Sequence, residues 1–464
     1  MKQNRINILE GSLFKNILFF AIPLILIGIL EQLFNAADVA VVGKFTGDKG
    51  TNAMAAVGAN SPMIGLFVYT FIAMSLGINV VVAQAKGASN DELIKSGIHT
   101  SVVFSLLIGI LLTIICLVFA NPIYKAQKIE DPEVFSMTVK YFKIYAIGIP
   151  LIILYNFLAS IYRGVGNTRT PLIVLAIAGV LNLCLNFLFV LGFNLDVEGV
   201  AWATVISNAV AAIILFILLL KAKDSTKIYF KDLKINFSVL KKILKIGVPA
   251  GLQSAVFCIA NIIIQTKINS LGNTIMAASS VALNIEGIIS YFFAGFSQAC
   301  TTFVGQNFGA GYIKRCKQSM IVSLIEGLIS LAIMDLIMVF LGKYIISIFN
   351  DDKDVIKYAY MRLLFMCVAY TFTLMYEVFS GYMRGFGISL MPSILTVVGI
   401  CGVRLLWIAF YYPHHETFKA ILIAYPLSLG ATAILMFIWT LITHPAKKNM
   451  PLLNNSDIMD TRDE

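Results

Sequence analysis

Twelve long apolar runs follow one another between residues 14 and 442, and they restrict the chain to structures that satisfy every backbone polar group inside hydrocarbon. Each run holds about 20 residues or more, enough at 1.5 Å per residue to cross about 30 Å of bilayer core. The approximate spans are 14–43, 53–84, 96–120, 134–162, 170–193, 198–221, 244–269, 277–305, 317–341, 356–381, 392–412 and 418–442. The expected fold is all-α and integral to the membrane, with twelve transmembrane helices. Composition agrees, with 59% hydrophobic and 13% charged residues, against roughly half and a quarter in soluble domains. The first run is too long for a cleavable signal peptide and no small-residue cleavage site follows a short core, so the N-terminus is expected to be retained.

A formal net charge of +10 would suit nucleic acid, but the positions of the positive residues argue against that partner. With the N-terminus inside, the internal segments collect Lys2, Arg5, Lys86, Arg163, Arg169, Lys314, Arg315, Lys447 and the basic stretch from Lys221 to Lys245. Loops on the other side are poorer in Lys and Arg and diluted by "EDPE" and "NDDKD". This asymmetry puts both termini in the cytoplasm, and the basic stretch reads as a topology signal touching anionic head groups. Cys116, Cys184, Cys258, Cys300, Cys316, Cys367 and Cys401 stand singly, without CxxC or a histidine at metal spacing. They are expected as free thiols, with neither a disulfide framework nor a metal site. His99, His414, His415 and His444 fall at span ends or in loops and read as interfacial residues.

The basic stretch also divides the chain into halves that resemble one another at an offset of about 221 to 226 residues. "ILFFAIP" ending at Pro23 answers "ILKIGVP" ending at Pro249, and "VVVAQAKGA" (80–88) answers "TTFVGQNFGA" (302–310). "YRGVGNTRTP" (162–171) matches "MRGFGISLMP" (383–392), aligning Arg163 with Arg384 and Pro171 with Pro392, and Tyr155-Asn156 falls on Tyr376-Glu377. An even number of spans per half makes the repeat parallel, two pseudo-symmetric six-helix lobes related by an axis along the membrane normal. The expected organisation is a lobe at 1–222, a cytoplasmic linker at 223–243, a second lobe at 244–446 and a polar cytoplasmic tail at 447–464. Such a repeat suits two bundles that rock about a site between them; two bundles with no moving cleft is the plainer alternative. The R-G-x-G turns lack the strand before and the GK[ST] after that would cradle phosphate. With no HExxH, GxSxG or Walker A either, an enzyme is not expected and any transport energy would come from an ion gradient.

Charges at membrane depth cost about 2.5 to 3.5 kcal/mol each on insertion scales and usually face a bundle interior or a watery cavity. Glu31, Asn35 and Asp38 are spaced i, i+4, i+7 on one face of the first helix. Burial disfavours a carboxylate's charge and amide donors favour it, so a group balanced between the two can load and unload H⁺ or take Na⁺. Asn182 and Asn186 in the fifth span, and Tyr155 and Asn156 in the fourth, could complete such a cation-coupling site. Two plainer readings stand beside this one: Glu31 and Asp38 as residues at an aqueous helix end, and the asparagines as interhelical glue. In the second half Glu286, Glu377 and Arg404 occupy apolar surroundings, where the Arg would be satisfied by one or both acids. That cluster is either a structural lock or part of the transport machinery. Glu326 and Asp335 in the ninth span are weaker candidates. Met and aromatic side chains would suit bulky apolar cations if they line a cavity.

"LFNAADVAVVG", "GQNFGAG" (305–311), the paired R-G-x-G…P turns and the duplicated twelve-span layout resemble the multidrug and toxic compound extrusion (MATE) family over about residues 10 to 445. "NIEG", "YEVFSGYMRG" and "CGVRLLW" look like one bacterial branch of it, which implies the cytoplasmic membrane of a bacterium. The resemblance implies two six-helix lobes in a V and export of cationic, lipophilic compounds in exchange for H⁺ or Na⁺, with no other cofactor and with the chain acting as a monomer. It matches Asp38 to the family's cation-coupling aspartate and Asn182 to the fifth-helix asparagine. Asn186 stands where many members have aspartate, and Glu31 stands where an uncharged residue is usual and could make good that loss. The seventh helix lacks the glutamate of a Na⁺-coupled branch, so the coupling ion stays open between H⁺ and Na⁺. A lipid-linked oligosaccharide flippase of the same superfamily is the main rival, expected to carry many cavity Arg and Lys where only Arg404 is deep by sequence. A channel, a sensor and a membrane-embedded enzyme are the remaining ones.

Overall fold

The computed structural model describes residues 6–127, 129, 131–443 and 445; Lys2, Arg5, His444, Lys447 and the tail expected at 447–464 lie outside the described residues. Every regular element among the described residues is helical, and twelve helices are long and apolar enough to cross a membrane. They are α1 Leu13–Phe45, α2 Gly50–Gly87, α3 Asp91–Lys125, α4 Pro132–Gly164, α5 Arg169–Gly192, α6 Val197–Leu220, α7 Phe237–Asn269, α8 Asn273–Gly309, α9 Ile313–Ser347, α10 Lys353–Gly385, α11 Leu390–His414 and α12 Phe418–Thr443. Each expected span maps onto one of them. Most helices run several residues past the apolar run, because polar caps extend them at the ends. Asp131 and Asp352 cap α4 and α10 by accepting from the first free backbone amides, as Asn236 does at α7. Gly166 (φ 90°) and Gly387 (φ 82°) provide the left-handed turn after α4 and α10, so the sequence repeat reappears as matched caps and turns. Apolar side chains such as Val118, Phe340 and Ile442 stand exposed on the outer surface, as a lipid-facing belt requires.

Helices alternate in direction, so α1 starts and α12 ends on the same side, called the termini face here. Two cores organise the interior. One gathers buried residues from Val41 to Ile228 together with Val239, Ile243 and Ile246 of α7; the other gathers Ile264 to Met436 together with Ile17, Phe20, Leu24 and Ile25 of α1. The packing units therefore exchange the termini-side halves of α1 and α7 across the boundary expected between residues 222 and 244. The exchange follows from close approach at small residues: Gly28 meets the ring of Tyr291, Gly295 meets Ile25, and Gly77 and Gly247 meet the carbonyls of Ile243 and Met74. Thus α1 packs on α8 and α2 on α7.

The basic linker lies against α3. Buried His99 accepts the Tyr229 amide at Nε2 (3.0 Å), which leaves Nδ1 to donate to the Lys95 carbonyl (2.7 Å), and Thr100 Oγ1 accepts the Asn236 amide. His99 is thus a clasp for the linker rather than an interfacial residue. The seven cysteines are all free.

Candidate functional site

Asp38 lies about four-fifths of the way along α1, 5% exposed, on the side that meets α5 and α6. One carboxylate oxygen accepts from Asn186 Nδ2 at 2.5 Å and the other from Thr204 Oγ1 at 3.0 Å. Asn186 also donates to Asn182 Oδ1 (3.3 Å), and Asn182 donates to Thr204 (3.4 Å), closing a ring of four polar side chains from three helices. Asn182 and Asn186 sit one turn apart on α5, which aims both at α1, and a π-helical turn at Leu188–Gly192 begins directly after them. Such turns often mark functional positions in membrane helices. No basic residue pairs with Asp38 among the described residues, and Asn186 Oδ1 is buried without a donor. A carboxylate beside an orphaned acceptor is completed by a proton shared between them or by a small cation drawing on four oxygens: Asp38, Asn182, Asn186 and Thr204. Thr204 was invisible in sequence, since threonine in "AWATVIS" carries no charge signal.

A separate cavity of about 880 Å³ lies between the lobes, and Asp38, Asn182 and Asn186 are not among its lining residues. Its charged lining consists of Glu31, Glu286 and Glu377 with Arg163, Arg362, Arg384 and Arg404. Glu31 therefore faces the inter-lobe space and does not join Asp38; seven residues along the helix, about 10 Å, carry it out of the α5–α6 contact and into the cleft. Asn35 is exposed between them, so the stacked face expected on α1 does not form one site. Asn156 lines the cavity while its Nδ2 donates to the Ile152 carbonyl, and the Tyr155 hydroxyl is buried without a partner among the described residues. Neither belongs to the Asp38 ring.

The expected Arg404 pairing is corrected. Glu286 pairs with Arg362 instead, its two oxygens taking Nε at 2.6 Å and Nη2 at 2.9 Å, while Ser279 takes Nη1. Arg362 in "YMRLLF" lies inside the expected span 356–381, near its start, and is not among the charges singled out from sequence. Glu377 accepts from Ser297 Oγ at 3.2 Å, and Arg404 donates to Ser428 and Asn261. Arg163, expected in a cytoplasmic turn, belongs to the last turn of α4 and lines the cavity, as its repeat partner Arg384 does in α10. Arg404 is thus one of four arginines lining the cavity. Glu326 is 2% exposed with neither oxygen bonded, and Asp335 has a buried oxygen without a hydrogen-bond partner; neither lines the cavity.

At the termini face the cavity is closed by a pair of matched contacts. Gln84 Nε2 donates to the Gly385 carbonyl across the lobes at 2.8 Å, and Gln306 Nε2 donates to the Gly164 carbonyl at 2.7 Å. Gly87 and Gly309 bring α2 and α8 into contact with the Gln306 and Gln84 carbonyls, leaving no room for a Cβ. These are the "AQAKGA" and "VGQNFGA" motifs and the two R-G-x-G turns, joined crosswise.

The MatE family model matches residues 23–188 and 249–409, one copy per half. The chain belongs to the MATE family. It is similar to the probable multidrug resistance protein YoeA of Bacillus subtilis, 25% identical with 92% of this chain and 93% of that one covered. It is also similar to a FAD transporter of Shewanella oneidensis, 23% identical with 87% and 89% covered. The solved outward-facing conformation of a multidrug resistance MATE transporter superposes with a TM-score of 0.87, 22% identity and coverage of 97% and 99%. This MATE protein is accordingly a multi-pass membrane transporter and not an enzyme.

Proposed function

We propose that this MATE transporter is an antiporter: a cation, H⁺ or Na⁺, enters the Asp38 ring, and the lobes rock to release an amphipathic organic compound from the central cavity to the outside. The observation that carries the reading is Asp38 itself, 5% exposed and bonded only to neutral side chains. A buried carboxylate without a fixed counter-charge is costly at membrane depth, and occupancy by a cation relieves that cost. Because the ring joins α1 to α5 and α6, the ionised carboxylate holds these helices by accepting two hydrogen bonds; a protonated or cation-bound one changes that set. Ion and substrate need not touch, since each has only to differ in affinity between the two states of the lobes.

The bias of Lys and Arg supports a cytoplasmic termini face in a bacterial cytoplasmic membrane. The Gln84 and Gln306 contacts then close the cytoplasmic side, and the cavity faces outward. Organic cations suit Glu31, which has no hydrogen bond or ion pair among the described residues, and Glu377, which accepts only from a serine. The chain works as a monomer in this reading, because the parallel repeat supplies both moving halves, and it needs no cofactor beyond the coupling ion. Four cavity arginines favour a second reading, movement of an anionic lipid-linked substrate.

The test is efflux of a fluorescent organic cation from proteoliposomes under a pH gradient or a Na⁺ gradient applied separately. One gradient should drive efflux by the parent protein and fail to drive Asp38→Asn. Equal efflux by both proteins removes Asp38 as the coupling residue, and a requirement for ATP removes antiport.

A further inference from the structure

The wall of the cavity formed by α7, α8, α10, α11 and α12 carries a positive charge that the protein itself does not neutralise. Three arginines stand there, Arg362, Arg384 and Arg404, against two acids, Glu286 and Glu377. Glu286 is consumed by Arg362 in a bidentate pair. Glu377 acts on Arg384 across a gap too long for an ion pair. Arg404, 2% exposed, has no carboxylate acting on it: its Nε donates to Ser428 Oγ at 2.9 Å and its Nη1 to Asn261 Oδ1 at 3.3 Å. Arg384, 8% exposed, donates Nη2 to Gln253 Oε1 at 2.8 Å, and its Nε is buried without an acceptor.

The two guanidinium groups are held by one helix face. Gln253, Phe257 and Asn261 recur every fourth residue on α7, with Gln253 gripping Arg384, and Asn261 and the Phe257 ring (5.8 Å) gripping Arg404. Eight residues of helix span about 12 Å, so one bound molecule, though not one oxyanion, can reach both cations. The Tyr425 ring lies 4.5 Å from the Arg404 guanidinium and 5.5 Å from that of Arg362, fixing Arg404 in place and offering an aromatic surface beside it. A π-helical turn at Val397–Gly402 precedes Arg404, which lines the cavity.

The geometry points to an oxyanion seat: Arg404 binds the carboxylate or phosphate of an aromatic or lipophilic substrate whose body packs along Tyr425 and Phe257, with Arg384 a second cation farther along the same wall. A buried guanidinium with neutral partners is stabilised most by an anion brought to it, and the cavity is where one can arrive. The seat widens the cargo from organic cations to zwitterions and organic anions, and it rests on the exporter reading above, in which this cavity holds the substrate.

The experiment uses the full chain in a neutral detergent and two dyes built on the same xanthene ring, one ending in a free carboxylate and one in a dimethylaminoethyl amide. Binding is read by fluorescence anisotropy for the parent, Arg404→Gln, Arg404→Lys and Arg384→Gln. The carboxylate dye should lose about tenfold or more in affinity in Arg404→Gln and recover partly in Arg404→Lys, while the amide dye changes by less than about threefold. Equal loss of both dyes, or a carboxylate dye that binds the parent no better than it binds empty micelles, overturns the seat. If Arg404→Gln fails to fold, a parent that binds the amide dye and ignores the carboxylate dye still overturns it, and Arg384→Gln supplies the selective loss instead. Phosphatidylglycerol titrated into the micelles distinguishes the source of the oxyanion: competition in the parent alone assigns the seat to a lipid headgroup, and absence of competition assigns it to a soluble anion. Binding of neither dye overturns the cavity as a substrate site, a failure of the exporter reading and not of the seat alone.

Discussion

Asp38 and Glu286 show two ways to keep a carboxylate inside a membrane protein. Glu286 is neutralised by Arg362, both nearly inaccessible, at hydrogen-bond distance. Removing one partner of such a buried pair leaves an uncompensated charge and costs about 3 to 5 kcal/mol, whereas replacing both with apolar groups is often neutral. Arg362→Met should therefore lower the thermal midpoint in detergent sharply, and Glu286→Met with Arg362→Met should recover most of the loss; a double variant as unstable as the single one would contradict the pairing. Asp38 is instead held by donors that can let go. Thr204→Val removes one of its two hydrogen bonds, worth about 1 kcal/mol between membrane helices, and should shift apparent coupling-ion affinity by about fivefold: weaker if Na⁺ draws on Thr204 Oγ1, stronger if H⁺ binds, because the lost donor favours the ionised carboxylate. Saturating efflux and the melting point should stay near parent values, as titration of dye efflux against the driving gradient will show. Asp38 and Asn182 were readable from charge and helical spacing. Arg362 was not, because its position near the end of an apolar run hid how deep the helix carries it.

The matched ends of α2 and α8 explain why the chain repeats "AQAKGA" and "VGQNFGA". Each glutamine is half of a two-fold set, donating across the lobes to the carbonyl that ends the opposite arginine-glycine turn, and each glycine lets the facing helix approach to backbone contact. In the sequence these read as matched motifs without a partner, since Gln84 and Gly385 are 301 residues apart and no local pattern links an amide to a distant carbonyl. Gly309→Val places a branched side chain where the Gln84 carbonyl sits, so it should abolish efflux while the protein still reaches the membrane and keeps its helical circular dichroism. Gly402→Ala meets nothing within 4 Å and should transport normally. A Gly309→Val protein with full efflux would mean that this closure does not hold the lobes together during transport.

Across the molecule, hydropathy and the repeat were enough to foresee twelve spans and two related lobes, because lipid permits few alternatives. They could not foresee that α1 and α7 trade their termini-side halves between the two cores, since apolar residues facing lipid, their own lobe or the other lobe look alike in sequence. In the antiporter proposed above the lobes would pivot on these shared helices, and one cavity should open to one side at a time. Cys258 provides a reporter already in place: it lines the cavity and is partly accessible, whereas Cys116, Cys300, Cys316, Cys367 and Cys401 are buried. With Cys184, the exposed one, changed to serine, a membrane-impermeant maleimide should label Cys258 readily from the face opposite the termini and slowly from the termini face. Gln84→Leu with Gln306→Leu deletes two closing hydrogen bonds, about 1.2 kcal/mol together, which raises the minor state opened to the termini face by roughly sevenfold. Labelling from that face in inverted vesicles should rise by the same factor, because a small population of the minor state governs that rate, while labelling from the other face barely changes. Unchanged labelling from the termini face would show that the paired glutamines do not set the balance between the two states.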